Sequence, residues 1–427
     1  MQLFQSDDLT ITLYKEGSPE YQKVSYPIRY GRFGEILTPD YVLQTNLNGE
    51  IKYVQGRSPG WPHPAEWLKR TVGNDWIYYS AGDYKGVYDL FGEYYAPGLS
   101  YPSNSVFDEH PFDRPAVKSA VTSWQGVLNP LKRRLATEIP GDLRDFLTRF
   151  AENDPPTLSQ RAEQLHHILG GRVTVLPPDT RHVDYDVIPI MVADGCLYQC
   201  GFCRVKSGRG FSLRTRQNIL EQIRSLKTFY GRDLLNYNSL YLGEHDALRA
   251  GRDVIEFAST TAYDILEFER SYLKTPRLFL FGSVDSMIQA KESLFTALAD
   301  LPFHIWINVG LESPDPATLG VLKKPITLEK IIDAFGRMLE VNRSYETMEV
   351  TANFVFGEGL PQSHLDALME FIRSQSDVLI RKGGIYLSPF VDGKRKGAGR
   401  RRAFLRRFNE VKTASRLPTF VYLIQRL

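Results

Sequence analysis

Between residues 187 and 389 the chain alternates between two hydrophobic rhythms. Short runs of period two fall at 187–193, 239–242, 277–281, 304–310, 349–356 and 384–389; each predicts a strand whose side chains alternate between two faces. Stretches of period near 3.6 lie between them, at about 213–230, 249–268, 286–299, 327–341 and 363–376, and predict helices. This alternation predicts parallel βα units with right-handed crossovers, an α/β architecture. In the fourth run Ile305, Ile307, Val309 and Leu311 alternate with His304, Trp306, Asn308 and Glu312. The apolar set is expected against the helices and the polar set on the other face. Polar residues also alternate in the fifth run (Thr351, Asn353) and the sixth (Tyr386, Ser388), which points to a cavity lined by the strands. Mutual satisfaction of buried polar groups is the competing reading.

Residues 1–110 have a different pattern. Ile11 to Tyr14, Tyr41 to Thr45 and Ile51 to Val54 read as short strands, with Asn48-Gly49 a hairpin turn between the last two. Between Asp75 and Ser105 stand Tyr78, Tyr79, Tyr84, Tyr88, Tyr94, Tyr95 and Tyr101, spaced by Gly82, Gly86 and Gly92. Aromatic strands with glycine turns explain this cluster. Leu143, Phe146, Leu147 and Phe150 then recur at helical spacing, and a second helix follows Asp154-Pro155-Pro156 and ends at Gly170-Gly171. A boundary is placed near residue 180, at Leu176-Pro177-Pro178-Asp179. Residues 1–180 thus read as an N-terminal α+β accessory region, expected by elimination to cover the open side of the strands or present substrate. Residues 181–393 read as the core and 394–427 as a basic C-terminal segment.

All three cysteines of the 427 residues fall in Cys196-Leu197-Tyr198-Gln199-Cys200-Gly201-Phe202-Cys203, directly after the first predicted strand of the core. Three thiolates spaced C-x3-C-x2-C suggest one joint ligand task. A four-iron cluster ordinarily takes four cysteines, so three would leave one iron open to another ligand. Zinc would need a fourth ligand, and the nearest histidines in the chain are His182 and His245. A disulfide would leave one thiol unpaired, and the start of the chain has neither the basic nor the apolar region of a secretory signal.

The cysteine spacing, with Phe202 just before the last cysteine, resembles the signature of the radical S-adenosylmethionine (SAM) superfamily. The resemblance implies a partial (β/α)6 TIM-like barrel over about 185–393, with chemistry at the C-terminal ends of its strands. It further implies a [4Fe-4S] cluster on Cys196, Cys200 and Cys203, with SAM on the open iron. Reductive cleavage of SAM would yield a 5′-deoxyadenosyl radical that abstracts a hydrogen atom from substrate.

Tyr241-Leu242-Gly243-Glu244 resembles the family's Gly-Gly-Glu element, with Leu242 in place of one glycine, and implies that Gly243 and Glu244 receive the SAM amino group. Gly310-Leu311-Glu312-Ser313 resembles the fourth-strand segment of the branch holding elongator-like enzymes and oxygen-independent coproporphyrinogen oxidases. Phe356-Gly357-Glu358-Gly359-Leu360-Pro361 resembles its fifth-strand turn in altered order. Glu312, with Ser283 or Asp285, is the candidate for the SAM ribose and carboxylate, and Phe202 for the adenine side. Asn308, Asn353, Tyr386 and Ser388 are the candidate substrate surface. With no cysteine to return a hydrogen atom, Tyr241, Tyr386 or the 5′-deoxyadenosine itself is the candidate donor. No Asp-x-His-x-x-Gly of cobalamin-binding domains is present, and no further cysteines exist for a second cluster.

Composition adds little to this picture. The 42% apolar and 24% charged content suits a soluble globular chain. No apolar run of membrane-spanning length occurs, so a cytoplasmic location without membrane association is expected. The net charge is +2, but Lys394, Arg395, Lys396, Arg400, Arg401, Arg402, Arg406 and Arg407 concentrate it near the C-terminus. Such a run suits phosphate, RNA or a small acidic electron donor of the flavodoxin or ferredoxin type. Substrates open at this point are a small molecule, a peptide or RNA. The competing classes are an iron–sulfur redox sensor or electron carrier, with His245 or Asp246 as fourth ligand, and a zinc-containing nucleic-acid-binding protein.

Overall fold

A computed structural model describes residues 2–6, 9–21, 29–80, 90–93, 95–99, 111–135, 139–203, 210–375, 382–390 and 400–427. Tyr84, Tyr88, Tyr94 and Tyr101, the turns at Gly82 and Gly86, and residues 393–399 of the basic run lie outside them.

The first eight strands are β1 (Gln2–Ser6), β2 (Leu9–Glu16), β3 (Arg32–Leu37), β4 (Tyr41–Thr45), β5 (Ile51–Gly56), β6 (Trp67–Arg70), β7 (Trp76–Ser80) and β8 (Ala96–Leu99). They form one antiparallel sheet in chain order. The β4–β5 turn runs through Asn48-Gly49 as expected, with Gly49 at φ +82°, a conformation that favours glycine. One face carries Ile36, Leu43, Val54 and Leu68 against Leu131, Leu147 and Phe150. Those three belong to helices α2 (Gln125–Arg134) and α3 (Gly141–Glu152), which follow α1 (Pro115–Ser123). The next helix, α4 (Pro155–Leu169), starts where Asp154 accepts the Thr157 N–H at 3.0 Å and ends at Gly170, in the left-handed region.

The remainder is a mixed α/β unit. Its strands β9 (Ile188–Met191), β12 (Ser239–Gly243), β13 (Arg277–Gly282), β14 (His304–Glu312), β15 (Met348–Phe356), β16 (Ile385–Pro389) and β17 (Thr419–Val421) form a parallel sheet in chain order. A two-residue pair, β10 (Ala193–Asp194) and β11 (Ser212–Leu213), stands apart from it. Helices α5 (Arg216–Tyr230), α6 (Arg252–Ile265), α7 (Val284–Gln289), α8 (Glu292–Ala299), α9 (Pro316–Leu322), α10 (Leu328–Ser344), α11 (Ser363–Ser374) and α12 (Arg400–Ala414) supply the crossovers. Ile305, Ile307, Val309 and Leu311 are all buried in the main core, as the alternation in β14 predicts.

Three features differ from expectation. The basic C-terminal segment is not a tail: its described part builds α12 and a seventh strand, β17, parallel to β16. Phe408, Val411 and Val421 bury there, so a few apolar positions within a basic sequence decide the outcome. The N-terminal sheet also does not reach the cysteine loop through its described contacts. They gather where the parallel strands begin: Asn236, just before β12, donates to the Arg32 carbonyl at 2.9 Å, and Tyr272, before β13, donates to the Gly17 carbonyl at 2.8 Å. Lys69 on β6 pairs with Asp184 and Asp186, just before β9.

The third difference concerns the 180 boundary. Residues 178–183 are not a loose connection but a plug under the strands. His182 stacks on Trp306 with ring centroids 5.0 Å apart. Asp179 receives the hydroxyls of Thr351 at 2.7 Å and Tyr386 at 2.8 Å.

Candidate active site

The cysteine loop leaves the sheet at the C-terminal end of β9. Its base is closed by the β10–β11 pair and by Arg214, which grips both carboxylate oxygens of Asp194 at 3.0 and 2.6 Å. Gly195, at φ +75°, turns the chain into the loop. Inside it the Tyr198 N–H points at the Cys196 sulfur, 3.4 Å away.

Tyr198 pins the loop to the third βα unit. Its hydroxyl donates to Asp285 Oδ2 at 2.5 Å and accepts the Asp285 N–H at 3.1 Å, while Lys330 reaches Asp285 Oδ1 at 2.6 Å. Burial works against the Asp285 charge, but Lys330 and Tyr198 hold its carboxyl below the usual range. A second tie runs from the Gly201 N–H to the Leu322 carbonyl at 2.8 Å, at the end of α9.

Beside the loop, Lys324 is almost wholly buried. It donates to the Gly310 carbonyl at 2.6 Å and to Glu312 Oε1 at 3.1 Å, and lies 5.5 Å from the centre of the Tyr198 ring. The β14–β15 register shifts between Gly310 and Glu312, and Glu312 takes φ +67°, a strained value for a glutamate. The Lys324 ion pair fastens that turn.

At the end of β12 the Tyr241 hydroxyl donates to the Glu244 carbonyl at 2.7 Å, and Glu244 Oε1 lies 3.3 Å from His245 Nε2. A Cβ at Gly243 would stand 2.5 Å from the Met191 methyl, so glycine lets β9 and β12 end side by side. Next to them, buried Asp246 accepts the Ser283 N–H at 2.9 Å and the Ser286 hydroxyl, and burial raises its pKa.

The expected site residues therefore separate into groups. Cys196, Cys200, Cys203, Phe202, Gly243, Glu244 and Glu312 all lie at or after the C-terminal ends of parallel strands. Ser283 caps α7 through a reciprocal bond with Ser286, and Asp285 anchors Tyr198, so both have tasks within the protein. Asn308 is fully buried; it donates to Thr351 Oγ1 at 2.8 Å and accepts from Asn353 at 2.6 Å. Its amide is spent on neighbours, which corrects the expectation of a substrate contact. Tyr386 is likewise taken up by the plug, donating to Asp179 and accepting from Arg181 Nε at 2.9 Å. Sequence reasoning passed over Tyr198 as a loop anchor and Lys324 as a buried cation. Only the placement of Tyr198 within the cysteine motif hinted at the first.

None of the three cysteines forms a disulfide, and the charge of Cys203 opposes ionisation of both Cys196 and Cys200. Burial pushes Cys200 up to about 11 and Cys196 upward, with Lys324 drawing both back. Among the described residues no three His, Cys, Asp or Glu side chains are already gathered to hold a metal ion. The donor set nevertheless fits an iron–sulfur cluster in kind: three thiols outside any disulfide on one loop, beside a cation that favours the thiolates of Cys196 and Cys200.

A family profile described as the Radical SAM superfamily matches residues 190–372. That span is a radical SAM domain. It runs from β9 through most of α11, so the cysteine loop and the Glu244 and Glu312 strand ends all lie inside it.

Among solved structures, the radical SAM methyltransferase TsrM from Kitasatospora setae is 15% identical over 47% of this chain and 35% of its own, with a TM-score of 0.34. SuiB from Streptococcus suis is 10% identical over 90% and 71%, with a TM-score of 0.38. Methylornithine synthase (PylB) is 12% identical over 70% and 77%, with a TM-score of 0.36. The chain thus spans about a third of the length of TsrM. No curated protein sequence matches it. Among the described residues no helix is long and apolar enough to cross a membrane.

Proposed function

We propose that this protein is a radical SAM enzyme whose parallel sheet acts as a partial (β/α)6 TIM-like barrel extended by β17. Cys196, Cys200 and Cys203 would hold a [4Fe-4S] cluster, and Gly243, Glu244 and Glu312 would receive SAM. When bound, the cluster and SAM together supply reductive cleavage of SAM and hydrogen-atom abstraction from a substrate. The observation that carries this reading is the placement of all three cysteines on one loop at the C-terminal mouth of parallel strands, within the matched domain.

The chain's own groups have distinct tasks in this reading. Tyr198, Asp285 and Lys330 hold the loop in position, and Lys324 opposes the negative charge that three thiolates and Glu312 bring together. Glu244, partly exposed, is free to accept an ammonium group through charge-assisted hydrogen bonds. Of the two tyrosines among the candidate hydrogen donors, Tyr241 is favoured because its hydroxyl meets the backbone at the strand end, whereas Tyr386 serves the plug. The substrate is a small molecule, a peptide or RNA, and the electron donor a small acidic protein of the flavodoxin or ferredoxin type.

Anaerobic reconstitution with iron and sulfide, reduction with dithionite and addition of SAM test the proposal, with 5′-deoxyadenosine and methionine as the measured products. Both are expected from the wild type and neither from Cys200→Ala. A cluster that binds no SAM would favour the sensor class. Stoichiometric zinc without any cluster would reject the reading.

A further inference from the structure

An iron–sulfur cluster on these cysteines needs an electron from outside, and the side of the loop facing solvent is defined by a few residues. Gly201, between Cys200 and Cys203, is exposed. Its N–H is bonded to the Leu322 carbonyl at the end of α9. The neighbour of Leu322 in that helix, Val321, is the most exposed large aliphatic side chain of the described residues at 57%. On the other side of Leu322, Lys323 caps α9 in the left-handed conformation and is exposed. Its side chain runs beside Gly201: a Cβ there would come within 3.0–3.2 Å of the Lys323 Cβ, Cγ and Cδ. One aliphatic side chain and one cation thus flank the exposed backbone between two cluster ligands. Among the described residues α9 buries its opposite side, through Thr318, Leu319 and Leu322, and leaves both of these side chains exposed.

We propose that Gly201, Val321 and Lys323 form the docking surface for a one-electron donor protein with an acidic rim. This rests on the radical SAM reading above and adds where the electron enters. The donor gives up one electron and the cluster gains it; no bond forms and no group is transferred. The chemistry of the patch suits that partner. An exposed cation beside an apolar contact attracts an acidic surface and speeds its encounter, and redox encounters need only small interfaces, below about 1,200 Å². A permanent partner would want a larger apolar face than one valine supplies.

The test compares two reductants on the reconstituted full-length protein: dithionite, and a reduced acidic flavodoxin supplied by its reductase. Val321→Asp and Lys323→Glu each place a negative charge on the patch without touching a cluster ligand. Reduction by flavodoxin, followed by stopped-flow bleaching of the cluster, is expected to slow at least tenfold in each variant. In the wild type the rate should fall with added salt, and in Lys323→Glu that dependence should flatten. Reduction by dithionite and SAM cleavage driven by it should match the wild type. Unchanged flavodoxin rates in both variants would overturn the docking assignment while leaving the enzyme reading intact. Loss of dithionite-driven reduction would overturn it as well, by showing that the substitutions damage the cluster site instead. A wild type that takes up no cluster would instead sink the underlying reading.

Discussion

Lys69→Met offers a direct measure of how the N-terminal sheet is joined to the radical SAM domain. Lys69 is 1% exposed, and its ammonium lies 3.0 Å from Asp186 Oδ1 and 3.3 Å from Asp184 Oδ2, with a further bond to the Asp184 carbonyl. Burial pulls its pKa down, but the two aspartates more than offset this and raise it. Methionine keeps much of the volume and removes the charge. Breaking a buried ion pair from one side costs about 3–5 kcal/mol, because the remaining charge is left without its partner. Here Asp186 keeps Lys52 at 3.1 Å and Asp184 keeps the Tyr79 hydroxyl at 2.7 Å, so the lower end, about 3 kcal/mol, is expected. For large domains that corresponds to a fall in Tm of roughly 6–12 °C.

Lys69 titrates higher in the folded protein than in the unfolded chain, so its contribution is fully present at neutral pH and is lost only as pH rises through its raised value. Thermal melts and urea titrations at neutral pH measure the deficit. The double variant Lys69→Met, Asp184→Asn, which leaves Asp186 paired with Lys52, should recover part of the loss. Iron and sulfide uptake should be unchanged, because the ion network lies where the parallel strands begin and the cysteines where they end. A melting point equal to the wild type would refute the energetic reasoning. Loss of iron binding in a folded Lys69→Met protein would refute the spatial one.

Two further substitutions probe the loop and the plug. Tyr198→Phe removes both hydrogen bonds to Asp285; a loss of about 1–3 kcal/mol and faster release of cluster iron to a chelator are expected, and unchanged release kinetics would discount Tyr198 as the loop's anchor. Burial pushes Asp179 up to about 6, against the pull of Thr351 and Arg181, so its folded pKa exceeds the ordinary value near 4. Its contribution to stability is therefore present at low pH and lost as pH rises through about 4 to 6, an effect of about 3 kcal/mol. Asp179→Asn does not titrate, so the wild type should lose roughly that much relative to it between pH 4 and 7; a constant difference in urea unfolding would count against a buried, titrating Asp179.

Much of the radical SAM domain was legible because its signals are local. The alternation of Ile305, Ile307, Val309 and Leu311 specifies a strand and its helix-facing side without knowledge of any neighbour. Parallel strands with helical crossovers admit few arrangements, since handedness is set by the chirality of the chain. Asn48-Gly49 specifies a turn by the same kind of local steric argument. The cysteine motif was visible because every ligand candidate lies within eight residues. The tasks of Asn308 and Tyr386 were not visible, because a polar residue on a strand looks the same whether it faces substrate or a neighbour. Asp179, which receives Tyr386, is 207 residues away in the chain.

By itself, then, the sequence determined the order of elements, the inward and outward faces of the strands, and the grouping of three thiols on one loop. Each follows from backbone geometry and side-chain period over a few residues. Tertiary structure alone decided that the N-terminal sheet docks where the parallel strands begin, that residues 178–183 plug them from below, and that the C-terminal segment adds β17. It also decided that Lys324, unremarkable in Leu322-Lys323-Lys324, becomes a buried cation beside the cysteines. Those outcomes depend on charges and hydrogen-bonding groups far apart in the chain meeting in a place closed to water, where leaving any of them unpaired is costly.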